Sequence, residues 1–297
     1  DVYKRQIYNR REQAMTRLHM KSQTGSVAAD TASEEIAKRF VAARRNALPL
    51  KEFPGEIPAD LQAAYVIQDA AIELWPDQIG GWKVGRIPVE LEGGFGIDRL
   101  AGPIFRDTIR FAAAADSLDM PVFDGGFAAI EAEYVAVIGR DAPAGKLSWT
   151  SEEAEEMIAD LCIGLEVASS PLKTINELGP AVVVSDFGNN AGLIVGPSIN
   201  DWRNRPIESM ACTSYIAGSK VGEGGAFRLT GGFIRSVQFV LELNAKRGIP
   251  LRSGDFVATG QTTGIHDIQT GEAGRLDFGD DGELNCAIVE MTPRNAG

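Results

Sequence analysis

Residues 130–141 read Ile-Glu-Ala-Glu-Tyr-Val-Ala-Val-Ile-Gly-Arg-Asp. From Tyr134 to Ile138 the run is apolar on both faces, the pattern of a strand buried from both sides. Its first half carries two acids spaced by two. Side chains alternate along a strand, so Glu131 and Glu133 point the same way, with backbones roughly 7 Å apart. Two carboxylates at the mouth of a buried strand repel each other and lose hydration, and both stay ionised only if a cation sits between them. A solvated edge strand produces the same Glu-x-Glu pattern, and a second stretch decides against it. In residues 161–170, Leu-Cys-Ile-Gly-Leu-Glu-Val-Ala-Ser-Ser, Glu166 stands alone in an apolar run, a costly place for an acid that is neither paired nor ligated. Three carboxylates converging in apolar surroundings suit a hard, oxygen-seeking dication such as Mg²⁺ or Mn²⁺.

Composition narrows the partners. The chain has 297 residues, 44% of them hydrophobic, enough for one large domain or two small ones. With 29 basic against 41 acidic residues the net charge is -12, which argues against nucleic acid or an anionic membrane as a partner. The 3 cysteines, Cys162, Cys212 and Cys286, are scattered and form no CxxC pair, which suits a reducing, cytoplasmic setting. With only His19 and His266, a multi-histidine zinc site is excluded.

Outward from the acids, residues 1–32 are polar and lack hydrophobic period, and read as a disordered lead whose first residues look artefactual. A helix is expected from Ser33 towards Pro49, and Arg44 and Arg45 near its end read as solvated. A second runs from about Asp60 to Trp75. Gly-Trp-Lys-Val-Gly-Arg at 81–86 reads as a short strand in which burial would lower the pKa of Lys83, although a lysine snorkelling from an edge strand fits as well. The glycines of residues 92–96 and the Gly102-Pro103 turn suggest a loop and a lid. Thr150 with Glu153 forms a capping-box pattern. Residues 182–184 read as a brief strand, 192–197 as a buried one. Residues 215–232 are glycine-rich but carry no dinucleotide or Walker pattern, and 233–246 form an amphipathic helix ended by Gly248. After Thr259, Gly260-Gln261-Thr262-Thr263-Gly264 presents N–H groups and hydroxyls, either an anion-receiving nest in which Thr259, Gly260, Gln261 and Thr262 bind a substrate carboxylate or a plain tight loop. His266 with Asp267 follows as the better placed of the two histidines. Residues 275–278 and 283–291 close the chain as a hairpin. Helices first, then many short strands, indicate an α+β protein with a mostly β catalytic part.

Glu-Ala-Glu before an apolar strand, the later Leu-Glu-Val, the upstream Gly-Trp-Lys-Val-Gly and the downstream Gly-Asp-Phe-Val-Ala-Thr-Gly resemble the fumarylacetoacetate hydrolase superfamily, most closely its 2-keto-4-pentenoate hydratase branch. The resemblance covers about residues 61–291. It implies a mixed β-roll or β-sandwich catalytic domain over 81–297, a small N-terminal helical subdomain over 33–80, and a homodimer or higher homo-oligomer. It implies Mg²⁺ or Mn²⁺ held by Glu131, Glu133 and Glu166, and a catalytic role for Lys83. The expected activity is hydration of a 2-hydroxy-2,4-dienoate in aromatic or related catabolism. Acylpyruvate hydrolysis or 2-oxo acid decarboxylation at the same site is the alternative, and a non-catalytic small-acid binder a further one. Two departures bear on the choice. Where many hydratases carry an acid-base Asp this chain has Leu100, with Asp98 two residues earlier. In residues 186–190, Asp-Phe-Gly-Asn-Asn, Asn189 stands where hydratases carry a serine.

Overall fold

The computed structural model describes residues 27–113 and 116–294. Two helices come first, α1 (Val27–Asn46) and α2 (Leu61–Leu74). Asp60 caps α2 by accepting the Ala63 N–H at 2.8 Å, satisfying a donor the first turn leaves open. Helix α1 starts ahead of the expected Ser33, because Ala28, Ala29 and Ala32 favour helix over coil. The rest of the expected lead, residues 1–26, lies outside the described residues. The two helices share one apolar cluster with the body of the protein, in which Ile36, Phe40, Phe53 and Ile67 meet Phe105, Leu172, Val182 and Phe187.

Two mixed sheets follow. The larger is built from β1 (Ile79–Arg86), β2 (Arg99–Phe105), β3 (Ile109–Phe111), β5 (Phe127–Ile138), β6 (Ile158–Ser170), β7 (Asn190–Ser198) and β10 (Phe256–Ala258), in the order β2-β1-β10-β5-β6-β7-β3, with β11 (His266–Asp267) also on β5. The smaller joins β4 (Ser117–Val122), β8 (Ala211–Ile216), β9 (Ser219–Gly225), β12 (Ala273–Asp277) and β13 (Glu283–Glu290), in the order β4-β13-β12-β8-β9. β1–β10, β3–β7 and β4–β13 are parallel and the other pairings antiparallel, so the protein is α+β with mixed sheets and few helices. The main core lies against one face of the larger sheet, where Trp82, Tyr134, Ile163 and Leu165 meet Leu276, Leu284 and helix α6 (Gly232–Arg247). The opposite face, on β2, β5, β6, β7 and β10, carries the smaller cluster of Ile104, Val135, Cys162, Leu193 and Ala258.

Several local expectations hold. Thr150 accepts the Glu153 N–H at 3.2 Å while Glu153 accepts the Thr150 N–H at 3.0 Å, the reciprocal cap that starts α4 (Ser151–Glu155). Gly248, at φ 71, ends α6 in the left-handed region. Two expectations change. Residues 92–96 lie mainly in a short helix, α3 (Val89–Phe95), and Gly102-Pro103 lies inside β2 rather than in a turn. β2 is an edge strand, which tolerates the missing proline N–H. A Cβ on Gly102 would stand 2.1 Å from the Phe187 carbonyl, so glycine is there for close approach. Residues 182–184 belong to a helix, α5 (Pro180–Ser185), not a strand. Proline suits a first helical turn, and burial of Val182 and Val184 overrides the β preference of valine.

Candidate active site

β5 and β6 pair with Glu131 directly opposite Glu166 and Glu133 opposite Gly164. The register that places the apolar residues of both strands in the core therefore gathers all three carboxylates on the other face. Their ligand atoms lie within 4.8 Å of one another, and all three residues are buried. Like charges set opposite one another in a dry sheet are destabilising, so partners are required, and the structure supplies some. Lys83 Nζ stands 3.2 Å from Glu166 Oε1, which also accepts Asn190 Nδ2 at 3.0 Å. The Gly260 N–H donates to Glu133 Oε2 at 2.6 Å. Glu131 Oε1, Glu133 Oε1 and Glu166 Oε2 remain buried without a hydrogen-bond partner among the described residues. A divalent cation satisfies that set: hard oxygens, excess negative charge and an acceptor left over on each ligand.

The electrostatics carry the same strain. Burial, opposed by Lys83 and reinforced by Glu166, pushes Glu131 up to about 7. Burial, with Glu166 and Glu131 adding to it, raises Glu133 well above the usual carboxylate range against the pull of the Gly260 N–H. For Lys83, burial alone would lower the ammonium, as the sequence suggested, but Glu166, Glu131 and Glu133 together outweigh it and the pKa is raised. That expectation is corrected: the apolar strand hides Lys83 from water, and the acids it faces keep it charged.

The loop between α5 and β7 closes over Lys83. Asn189 Oδ1 accepts from Lys83 Nζ at 3.3 Å, and Asn189 Nδ2 donates to Asn176 Oδ1 at 3.1 Å. Phe187 (φ 56), Gly188 (φ 65) and Asn189 (φ 57) form a run of left-handed residues, costly for the two that carry side chains. What pins this run reaches across from α1. Arg44 Nε and Nη2 hold the Asp186 carboxylate at 2.5 and 3.0 Å, and its other donors take the carbonyls of Asn190 (2.9 Å) and Ser169 (3.1 Å). Ser170 Oγ adds a bond of 2.6 Å to Asp186 Oδ2. Arg44 thus sits buried and fully engaged, not solvated at a helix end. The sequence reading missed Arg44, Asp186 and Asn190 as parts of the site. An ionisable Asp186 next to the buried run at 181–185 was the available signal.

The remaining candidates are placed differently. Leu100, opposite Gly85, is buried on the Lys83 side of the sheet and gives an apolar wall where the resemblance led us to expect an acid. Asp98 pairs with the neighbouring Arg99, and no contact among the described residues joins it to Lys83 or the three acids. His266 pairs with Ile130, so it lies on the face opposite that of Glu131, and its Nε2 sits 3.1 Å from Thr263 Oγ1. Burial lowers its pKa. The loop over residues 259–262 is fastened to β5: Thr259 Oγ1 donates to the Tyr134 carbonyl at 2.7 Å and Thr262 Oγ1 to that of Ala132 at 2.8 Å. With the Gly260 N–H on Glu133, much of the expected nest is engaged within the protein. Thr259, Gly260, Gln261 and Thr262 nevertheless line a cavity of about 260 Å³.

The architecture, with its paired acids on adjacent antiparallel strands, defines a class. The chain carries the fold of the fumarylacetoacetate hydrolase superfamily, in agreement with the motifs read from its sequence. No family model matches it. A similar curated protein is the TodF product hydratase of Pseudomonas putida F1, 22% identical over 223 residues, covering 72% of this chain and 78% of the relative. It agrees with the hydratase-like branch the motifs indicate. Among solved structures, 4-oxalocrotonate decarboxylase from Pseudomonas putida G7, complexed with magnesium and adipate, superposes with a TM-score of 0.74 at 17% identity, covering 90% of this chain and 100% of that one. Fumarylpyruvate hydrolase from Pseudomonas aeruginosa, in complex with Mn²⁺ and pyruvate, gives 0.53 at 20% identity over 73% of this chain and 91% of that one. No helix among the described residues is long and apolar enough to cross a membrane.

Proposed function

We propose that the protein is a divalent-metal-dependent hydratase that adds water to a 2-hydroxy-2,4-dienoate. The observation that carries this reading is the set of three buried, partnerless carboxylate oxygens on Glu131, Glu133 and Glu166 beside a buried Lys83. These three acids would hold Mg²⁺ or Mn²⁺, which when bound supplies Lewis-acid polarisation of a 2-oxo acid's carboxylate and adjacent oxygen. Lys83, kept charged by the acids and oriented by Asn189, can hold a proton at Nζ and deliver it to a substrate carbon or oxygen. Asn190 keeps Glu166 aimed, Gly260 does the same for Glu133, and Leu100 excludes water from the side where it stands. The TodF product hydratase supports the same chemistry by likeness.

Cleavage at the same site, by decarboxylation or acylpyruvate hydrolysis, is the second reading. Leu100 keeps decarboxylation open in particular, because loss of carbon dioxide, unlike hydration or hydrolysis, needs no activated water. The products separate the two. In labelled water, the metal-loaded protein given a 2-hydroxy-2,4-dienoate should yield an unbroken 2-oxo acid with a labelled hydroxyl, and pyruvate or carbon dioxide as primary product would reject the hydratase. Calorimetry tests the metal independently. Glu133→Gln should lose Mg²⁺ binding while staying folded, and undiminished affinity in each of the three single Gln variants would reject the ligand set.

A further inference from the structure

Residues 186–190 carry two asparagines that touch the candidate site, and one guanidinium holds that stretch at both ends. At the first end, Arg44 Nε and Nη2 donate to the Asp186 carboxylate at 2.5 and 3.0 Å, and Nη2 also reaches the Asp186 carbonyl at 3.2 Å. At the other, Arg44 Nη1 donates to the Asn190 carbonyl at 2.9 Å. Between them lie Phe187, Gly188 and Asn189, with φ of 56, 65 and 57. Side chains at two of these positions make the left-handed region unfavourable, and such a run persists only where its surroundings fix it. The guanidinium is itself confined, 5.5 Å from the centre of the Phe123 ring and 5.2 Å from that of Phe187. Its N–H groups, arranged in a rigid plane, suit a task that spans two positions of the chain.

The bracket matters chemically because of what the bracketed residues touch. Asn189 donates its N–H to the Asp186 carbonyl at 2.9 Å and accepts from Lys83 Nζ at 3.3 Å through Oδ1. Asn190, whose carbonyl Arg44 holds, donates Nδ2 to Glu166 Oε1 at 3.0 Å. Lys83 Nζ lies 3.2 Å from the same oxygen, so both donors load Oε1 and leave Oε2 buried without a partner among the described residues. Hydrogen bonds that orient a ligating carboxylate are worth about ten- to a hundredfold in metal affinity or activity. We propose that Arg44 is a positioning residue: by holding Asp186 and Asn190 together it sets Asn190 against Glu166 and Asn189 against Lys83, and so tunes the metal affinity of the three acids from the N-terminal helix. Helix α1 then belongs to the active centre rather than standing beside it. This rests on the metal-site reading above and deepens it.

Three variants separate positioning from stability. Arg44→Met made together with Asp186→Leu removes the bracket without leaving a buried charge, and Arg44→Lys keeps a charge beside Asp186 but gives up the planar fork. Asn190→Ala leaves its carbonyl to Arg44 and cuts the last link, to Glu166. Calorimetry reads the Mg²⁺ affinity of each full-length protein, with urea unfolding alongside. Each variant should bind Mg²⁺ about tenfold or more weakly than the wild type, the double variant doing so although its stability is largely regained. In metal-free Arg44→Lys, amide exchange should quicken at Asn189 while the β5–β6 pairing stays protected. Wild-type affinity in the folded double variant, in folded Arg44→Lys or in Asn190→Ala would overturn the positioning role and leave the metal site standing, because a merely structural clamp does not set affinity. If the wild type itself binds no Mg²⁺, the metal-site reading falls and takes this one with it.

Discussion

Replacing Arg44 by Met removes the guanidinium from a fully buried carboxylate, and the magnitude follows from what is left behind. Asp186 is 0% exposed and loses two of its charged donors, and the carbonyls of Ser169 and Asn190 lose theirs. Breaking a buried pair from one side costs about 3–5 kcal/mol, because the orphaned charge has no water to turn to. Ser170 Oγ still donates to Asp186, which places the expected loss near the lower end, about 3 kcal/mol. Urea unfolding followed by tryptophan fluorescence gives the number. Asp186→Leu made together with Arg44→Met should regain much of the loss, since the penalty lies in the unpaired charge rather than in missing attraction. Arg44→Lys should recover only part, because an ammonium cannot span the carboxylate and two carbonyls at once. A loss below about 1 kcal/mol in Arg44→Met, the range of a solvated surface pair, would refute the buried-clamp account.

Two further outcomes are expected. Lys83→Met should keep Mg²⁺ affinity yet lower turnover by roughly two orders of magnitude or more; near-normal turnover would reduce Lys83 to a structural counter-charge. In metal-free protein, Glu131 has a folded pKa raised by burial from 4.5 to about 7, so its contribution to stability is present below 4.5 and is lost as pH rises through about 7. The thermal midpoint of chelator-treated protein should therefore fall between about pH 5 and about pH 8, with Mg²⁺ stabilising most at the upper end; a midpoint that rises over this interval contradicts the buried-acid geometry.

Much of this was legible in the chain itself. Glu131, Glu133 and Glu166 could be read because an acid inside an apolar β pattern has few explanations, and side-chain alternation states which acids share a face. The capping box at Thr150 and the closing hairpin were legible because both are local. What escaped was fixed by distant contacts. Val182 and Val184 favour a strand in isolation and form a helix because α2 and the sheet bury them. Gly102 reads as a turn residue and proves to be the floor on which Phe187 rests. Arg44 looks like any basic residue closing a helix, and its acceptors lie more than a hundred positions away. The charge state of Lys83 reversed for the same reason: local sequence announces its dry surroundings, while the acids that hold its proton arrive from other strands. His266 follows the 259–262 loop along the chain, but its pairing with Ile130 puts it on the sheet face opposite the acids.

The pairing of β5 with β6 also has a consequence for how the chain reaches its native state. These two strands carry all three acids and are consecutive in the larger sheet, joined by residues 139–157, whereas Arg44, Lys83 and Gly260 must come in from more distant parts of the sequence. Early closure of that hairpin sets Glu131 against Glu166 before any counter-charge has arrived, and long-range contacts form slowly. The developing sheet should then repel itself where Glu131 meets Glu166, towards the end remote from the connecting segment, making completion of this pairing a late and rate-limiting event at neutral pH. Divalent cations present during refolding should relieve the repulsion and speed the main phase, and Glu166→Gln should refold fast without them.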